Sequence, residues 1–280
     1  MNNVETTKLT DVLGAPSEFE AQPRRRAWVR RVIWAIVVLA LLVGCAELAL
    51  RVIIPNIVAS QIRDQFGLPA SHPVDVELLG SALLPALSGR VGPIEVEVPD
   101  ALVFDGIETT LRASADSVPF NTANGDILGA EASVTVPSSS MGAVVSLVTN
   151  GMADSGEILG GELIVGRSIE LFGVEATVTA SIKASVSGGD LLIEPTGVNA
   201  AGFNLSAEEL RPLLGEAAAA VLDVHTVCVR DRLPKGLTLT DLTFVPSLRG
   251  GEVATATARL APDILSNPDK LQPGTCADDQ

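Results

Sequence analysis

The sequence predicts an α+β fold, with an N-terminal transmembrane helix followed by a curved antiparallel β-sheet domain packed on two or three helices. Three observations lead to this prediction. A run without charges, Val32–Ala46, follows a cluster of arginines. From residue 74 onward, apolar and polar residues alternate in segments separated by glycines, which is typical of strands with one apolar and one solvated face. Two segments with helical start signals interrupt these strands.

The composition limits the classes of function. The 280 residues include 34 acidic and 19 basic side chains, which gives a net charge of −15. We therefore expect no nucleic-acid partner, because contacts to phosphates need a basic surface. Aromatic residues make up 3% of the chain and tyrosine is absent, so the core has to be built from Val, Leu, Ile and Ala.

The N-terminal region predicts a membrane anchor. Residues 1–27 are expected to form a disordered cytoplasmic tail, since they lack apolar periodicity. Residues 28–54 are expected to form one transmembrane helix that ends at Pro55. Five arginines between Arg24 and Arg31 precede the apolar run, and an acidic chain follows it. Because positive charges flank membrane segments on the cytoplasmic side, this order predicts that the tail is cytoplasmic. The sequence thus predicts a single-pass protein of the cytoplasmic membrane with an extracytoplasmic domain over residues 56–280.

The same segment allows a second kind of anchor. Leu42-Val43-Gly44-Cys45 resembles the lipobox of bacterial lipoproteins, in which a small residue precedes the cysteine that is acylated after cleavage. The basic cluster and the apolar run before Gly44 also fit a signal peptide. In this alternative the protein is a lipoprotein anchored through Cys45. Both alternatives tether the acidic domain outside the membrane.

The strands and helices follow from periodicity. Residues 56–66 have apolar side chains near helical spacing and predict a short amphipathic helix. Later helices are expected over Ser138–Asn150, with serine caps, and over Ser206–Leu222, with a Ser206/Glu209 capping box. Strands are expected where the period is two, near residues 74–78, 94–98, 111–116, 134–136, 176–185, 237–245 and 252–260.

Cys228 and Cys276 form one pair with no spare cysteine in the acidic domain. An oxidising exterior would allow them to form a disulfide, and closing a loop of about 48 residues would stabilise the fold by roughly 4 kcal/mol. Two buried free thiols are the alternative.

The residues give no support to catalysis or to a cofactor. His72 and His225 stand far apart, and neither has a serine-nucleophile elbow or a metal-ligand spacing near it. The acidic residues alternate with apolar ones along the strands and are therefore expected on the solvated face. We expect a protein that is not an enzyme and that needs neither cofactor nor metal.

Two apolar segments are candidates for contact with lipid. The segment from Gly80 to Arg90 predicts an apolar loop between strands, in which Leu83, Leu84 and Leu87 are assigned to neither face. A short helix tucked into the core is the other interpretation of this loop. The second candidate is the amphipathic segment with Ile57, Ile62 and Phe66.

Several of these features together resemble the LmeA-type phospholipid-binding family of actinobacteria. The resemblance rests on the basic-flanked apolar helix, the segment Ile57–Phe66, the late cysteine pair, and the blocks Val74–Gly80, Leu84–Arg90, Ile94–Val98 and Pro195–Val198. It covers roughly residues 45–276 and implies a tubular lipid-binding-like domain outside the membrane. It also implies a phospholipid ligand and a role in cell-envelope glycolipid biogenesis.

The leading hypothesis is therefore a membrane-anchored protein that binds phospholipid without covalent chemistry, with acyl chains against aliphatic side chains between helix and sheet. An envelope scaffold that binds another protein is the second hypothesis, and an envelope hydrolase is the third. No particular protein partner follows from the sequence.

Overall fold

The computed structural model describes residues 24–104, 107–149, 151–171, 174–200, 203–214, 222–247 and 250–276. The chain divides into two compact units, Met1–Ala46 and Glu47–Gln280. Residues 1–23 of the expected tail lie outside the described residues.

Helix α1 (Arg24–Phe66) contains Pro55 in its interior. The predicted helix end at Pro55 and the predicted separate helix at residues 56–66 are therefore wrong. Proline removes one backbone hydrogen bond at a cost of about 3 kcal/mol, but its neighbours Ile54 and Ala59 are buried, and the Asn56 side chain donates to the carbonyl oxygen of Val52 at 2.8 Å. Packing of this face outweighs the lost bond.

Within the described residues, the part of α1 that begins at Trp28 is the one helix long and apolar enough to cross a membrane. Its side chains from Trp28 to Cys45 are exposed in the first unit. By length and composition, this segment is able to serve as a membrane anchor or as a signal sequence.

Among its described residues, the second unit combines fourteen strands with three further α-helices. The strands are β1 (Asp75–Leu78), β2 (Arg90–Val91), β3 (Ile94–Phe104), β4 (Ile107–Ala115), β5 (Val118–Pro119), β6 (Glu131–Pro137), β7 (Ser155–Leu159), β8 (Glu162–Leu171), β9 (Val174–Ser187), β10 (Asp190–Ala200), β11 (Phe203–Ser206), β12 (His225–Val227), β13 (Leu237–Pro246) and β14 (Glu252–Leu260). The helices are α2 (Leu83–Leu87), α3 (Ser138–Val148) and α4 (Ala207–Leu214).

The strands form two main sheets and a ribbon. The first sheet has the order β1-β3-β4-β6-β14-β13, and the second has the order β11-β10-β9-β8-β7 with β12 beside β10. Strands β2 and β5 form the ribbon. Every pairing between the described strands is antiparallel. The predicted α+β class is confirmed. Gly188 and Gly189, which both have positive φ, form the turn between β9 and β10.

Four small apolar clusters make up the buried core of the described residues. Two of them join α1 to the first sheet, because Ile54 packs with Ile94, and Ala59 packs with Val98. A third joins α3 to both main sheets through Met141 and Val145. The fourth surrounds Ile127, Ala130 and Ile264 and packs against Ala115 and Leu260 of the first sheet.

The helix starts differ in how well they were predicted. The capping box of α4 is confirmed, because the Glu209 carboxylate accepts from the Ser206 backbone N–H at 2.9 Å and Ser206 Oγ accepts from the Glu209 N–H at 3.3 Å. Residues 215–221 of this predicted helix lie outside the described residues. The predicted serine cap of α3 is wrong. Pro137 occupies the cap position, and Ser138 Oγ instead accepts from the Ile158 N–H of β7 at 3.1 Å.

Candidate functional site

The first sheet separates its side chains into an apolar and a polar face. Directly opposed residues share a face, so the register places Val98, Leu111, Val134, Ala256 and Leu242 in one row across five strands. The neighbouring row on the opposite face consists of Glu97, Arg112, Ser133, Thr257 and Asp241. One face is therefore aliphatic over its whole width.

Helix α1 covers only part of this aliphatic face. Its buried residues pack on β1, β3 and β4. Farther along the rows, six aliphatic residues of β6, β14 and β13 belong to none of the four buried clusters and remain partly exposed. They are Ala132, Val134, Leu239, Leu242, Ala256 and Ala258.

The second sheet repeats this arrangement. In β9, alternate residues pair with aliphatic residues of β10, for example Ile193 with Ala184 and Val198 with Ala180. Nine aliphatic residues on this side are again partly exposed and outside the buried clusters. They are Val178, Ala180, Ile182, Ala184, Val186, Leu191, Ile193, Val198 and Leu205. We call these nine residues, together with the six of the first sheet, the aliphatic face.

The two halves of the aliphatic face meet in one cluster. Phe244 lies two residues beyond Leu242 on the same side of β13, and Leu163 pairs with Ile182 of β9. Phe244 and Leu163 pack together against Met141 and Val145 of α3. The two groups of partly exposed side chains are thus linked through one apolar cluster, and none of the fifteen side chains carries a charge. Such a surface is suited to hydrocarbon.

The opposite face of the first sheet is polar and internally paired. Arg112 donates to both carboxylate oxygens of Glu97, at 3.0 and 3.1 Å, and this hydrogen bonding raises the pKa of the Arg112 guanidinium. The hydroxyl groups of Thr135 and Thr255 lie 3.0 Å apart. These contacts agree with the predicted solvated role of the acidic residues.

Two cavities lie away from the aliphatic face and have mixed polar linings. One, of about 540 Å³, lies beside α4 and includes Lys183, Glu194 and Arg211 in its lining. The other, of about 200 Å³, lies by the β9–β10 hairpin and includes Arg230 and Lys235. Their cations are partly engaged, since Arg211 lies 3.4 Å from Asp223 and Arg230 lies 2.8 Å from Asp190.

The described residues give no group of three or more His, Cys, Asp or Glu side chains able to hold a metal. His72 Nε2 lies 2.8 Å from the carbonyl oxygen of Pro99 and so has a structural partner. The glutamate of the α4 capping box has a pKa below its usual range, because the N–H and hydroxyl groups of Ser206 donate to it.

The six predicted lipid-contact residues are not brought together. Ile62 packs against the buried cluster of α1 and the first sheet, whereas Ile57 and Phe66 on the same helix are exposed. The predicted apolar loop is the short helix α2, but it is not tucked into the core. Leu83 is partly buried, while Leu84 and Leu87 are 70% and 78% exposed.

The carboxylate of Glu47 holds the start of α2. It accepts hydrogen bonds from the backbone N–H groups of Ala82 and Leu83 at 2.7 and 2.8 Å, and from Ser81 Oγ at 3.0 Å. It also pairs with Arg51 at 3.0 Å, and Arg51 in turn donates to the carbonyl oxygen of Gly80. Glu47 and Arg51 lie four residues apart on one helix, whereas the contacts to α2 span more than 30 residues and have no local signal in the sequence.

The cysteines follow the prediction. Cys228 and Cys276 form a disulfide with Cα atoms 5.9 Å apart, so the alternative of two free thiols is wrong. Cys45 is free and exposed.

Comparison with protein families gives a match over residues 46–247, to the family described as LmeA-like phospholipid-binding. No curated protein and no solved structure matches the chain. The family match covers well over half of the 280 residues and includes α1 from Ala46 onward, α2, α3, α4 and both main sheets except β14. The chain belongs to the LmeA-like phospholipid-binding family.

Proposed function

We propose that this protein binds phospholipid on its aliphatic face, outside the cytoplasmic membrane to which its N-terminal helix tethers it. The observation that carries the proposal is the set of fifteen partly exposed aliphatic side chains on two sheets. A folded protein seldom leaves so many aliphatic residues of adjacent strands outside its buried clusters unless something covers them. Membership of a phospholipid-binding family supports acyl chains as the covering group.

The energetics of acyl-chain binding are sufficient. Each methylene group removed from water contributes about 0.8 kcal/mol, so covering ten of them contributes roughly 8 kcal/mol before the costs of association. The fifteen aliphatic side chains carry no charge and discriminate little between headgroups, and the net charge of −15 gives no general attraction to anionic lipids. We therefore assign recognition mainly to the acyl chains.

The proposed mechanism is non-covalent and needs no cofactor. Lipid exchange between the bilayer and the aliphatic face would let the protein support envelope glycolipid biogenesis, as the family resemblance implies. The tether is the uncleaved helix over residues 28–54 or, in the alternative, an acyl group on Cys45. An envelope scaffold without bound lipid is the competing function.

Native mass spectrometry of the full chain tests the proposal. The protein is released from detergent micelles that contain phosphatidylethanolamine and phosphatidylglycerol, and bound phospholipid is counted. Leu242→Asn places an amide on the aliphatic face, and Thr243→Asn places it on the polar face of the same strand. Leu242→Asn loses about 1 kcal/mol of binding free energy from apolar burial, which lowers the affinity for phospholipid about five-fold.

We expect the wild type to retain phospholipid, Leu242→Asn to retain several-fold less, and Thr243→Asn to match the wild type. A wild-type protein that retains no phospholipid would favour the scaffold function. Unchanged retention in Leu242→Asn, or equal losses in both variants, would contradict the aliphatic face as the binding surface.

A further inference from the structure

The ribbon of β2 and β5 brings a second apolar segment next to α2. Arg90 pairs with Pro119 in this ribbon, and the backbone N–H of Phe120 donates to the carbonyl oxygen of Gly89 at 2.9 Å. Gly89 itself follows α2, and its N–H donates to Ala86 at 3.0 Å. Phe120 is 56% exposed. The ribbon thus places an exposed phenylalanine beside the exposed leucines Leu84 and Leu87.

The surroundings of these three side chains carry no acidic residue along the chain. Residues 78–94 and 117–125 include no Asp or Glu, although the protein has 34 of them. The one charged side chain in the two segments is Arg90, which donates to Ser117 Oγ at 2.6 Å and to the Asp126 carbonyl oxygen at 2.8 Å. Two segments without carboxylates can approach a bilayer with anionic headgroups with little charge repulsion, and the neighbouring carboxylate of Glu47 is paired with Arg51 at 3.0 Å.

The position of α2 follows from its bond to Glu47. Glu47 comes directly after Ala46, the last residue of the run without charges. Its carboxylate lies 2.8 Å from the Leu83 N–H. Leu87 lies four residues farther along α2, which corresponds to a helix rise of only about 6 Å. In a protein tethered by the helix over residues 28–54, Glu47 lies in the outer part of the anchor, and the exposed leucines are therefore held beside the outer end of the anchor.

We propose that Leu84, Leu87 and Phe120 form a membrane-docking patch that enters the outer leaflet of the bilayer holding the tether. This inference rests on the membrane anchoring in the proposed function. The patch does not bind the extracted phospholipid; it holds the domain against the bilayer surface. Large apolar side chains at an interface bind membranes in proportion to the apolar area they bury.

Tryptophan fluorescence tests the patch, because the sequence has only Trp28 and Trp34. In the full chain with Trp28→Phe and Trp34→Phe, a single tryptophan is introduced by Leu87→Trp, Phe120→Trp or the control Leu159→Trp. Leu159 is 65% exposed and lies at the end of β7, remote in sequence from the patch. A further variant with only Trp28→Phe keeps Trp34 as the reporter of the anchor.

The variants are reconstituted in phosphatidylcholine–phosphatidylglycerol vesicles whose acyl chains are brominated near the carbonyl end. We expect bromine to quench Leu87→Trp and Phe120→Trp, with a blue-shifted emission, and to leave Leu159→Trp unquenched. If Leu87→Trp and Phe120→Trp are quenched no more than Leu159→Trp while Trp34 is quenched, the docking patch is wrong and the anchor stands. If Trp34 is also unquenched, the anchoring itself is wrong.

Discussion

At the scale of single residues, Glu47 has the largest structural role among the charged side chains near the anchor. One carboxylate satisfies two backbone N–H groups of α2, one hydroxyl and one guanidinium. Charge-assisted hydrogen bonds of this kind are stronger than neutral ones, and without the carboxylate the two N–H groups lose their protein acceptor. The orientation of Leu84 and Leu87 therefore depends on Glu47.

We predict that Glu47→Ala loosens α2 without unfolding the sheets. Hydrogen exchange at the Ala82 and Leu83 amides should become about ten-fold faster, while exchange in β9 and β10 stays unchanged. Glu95→Ala, on the polar face of β3, is the control and should leave the α2 amides as they are. Unchanged exchange in Glu47→Ala would mean that the carboxylate does not hold the helix.

Glu209 gives a prediction on pH. Its pKa is lowered because Ser206 donates two hydrogen bonds to the carboxylate. The capping box therefore stabilises α4 fully above the ordinary glutamate pKa of about 4.3, and this contribution is lost as the pH falls through the lowered value. In an NMR titration, Ser206→Ala should raise the Glu209 pKa toward the ordinary value. A pKa that does not move would show that Ser206 is not the cause.

At the scale of elements, the sequence predicted the strands whose alternation is local, such as β9, but it gave no bounds for β8 or β10, where consecutive apolar residues interrupt the alternation. The alternation in β9 and the capping box of α4 depend on neighbours within a few residues, and both were found as expected. The helix end at Pro55 and the helix cap at Ser138 were predicted wrongly, because contacts with residues of other elements determine the local structure at both positions. The burial of Ile54 keeps α1 continuous. The N–H of Ile158 donates to the Ser138 hydroxyl, which was expected to cap α3.

The candidate site was harder to predict for the same reason. Alternation shows that a strand has an apolar side, but only the path of α1 decides which part of that side is covered. The helix reaches β1, β3 and β4, and leaves the rows of β6, β14 and β13 partly exposed. Leu84 and Leu87 were identified as candidates from their sequence, whereas the proximity of Phe120 required the pairing of β2 with β5.

The disulfide is the covalent link between β12 and the C-terminal segment. We predict that Cys228→Ser combined with Cys276→Ser lowers the free energy of unfolding by about 4 kcal/mol, because a long loop in the unfolded chain is released. For a unit of this size that corresponds to a fall of roughly 10 °C in Tm, measurable by calorimetry. Cys45→Ser is the matched control and should leave Tm unchanged; a similar fall in that variant would contradict the assignment.

At the scale of the whole molecule, the nature of the tether is open to a direct measurement. An uncleaved anchor predicts that the intact mass of the protein isolated from its own membrane includes the residues before Cys45. A chain that begins at Cys45 and carries acyl groups would instead establish the lipoprotein form. Cys45→Ser separates the two further, since it should leave membrane attachment intact only if the helix is the anchor.

The central claim is that acyl chains lie on the aliphatic face. The most direct measurement is photo-crosslinking of the full chain in vesicles that contain phosphatidylethanolamine with a diazirine near the acyl end, followed by residue-level mapping. Labelling of α1 is expected for any anchor and serves as the internal standard. The account predicts additional adducts on Leu242, Ala256 and Ile182, with none on Thr243 and Thr257 of the polar face. Adducts confined to α1 would contradict it.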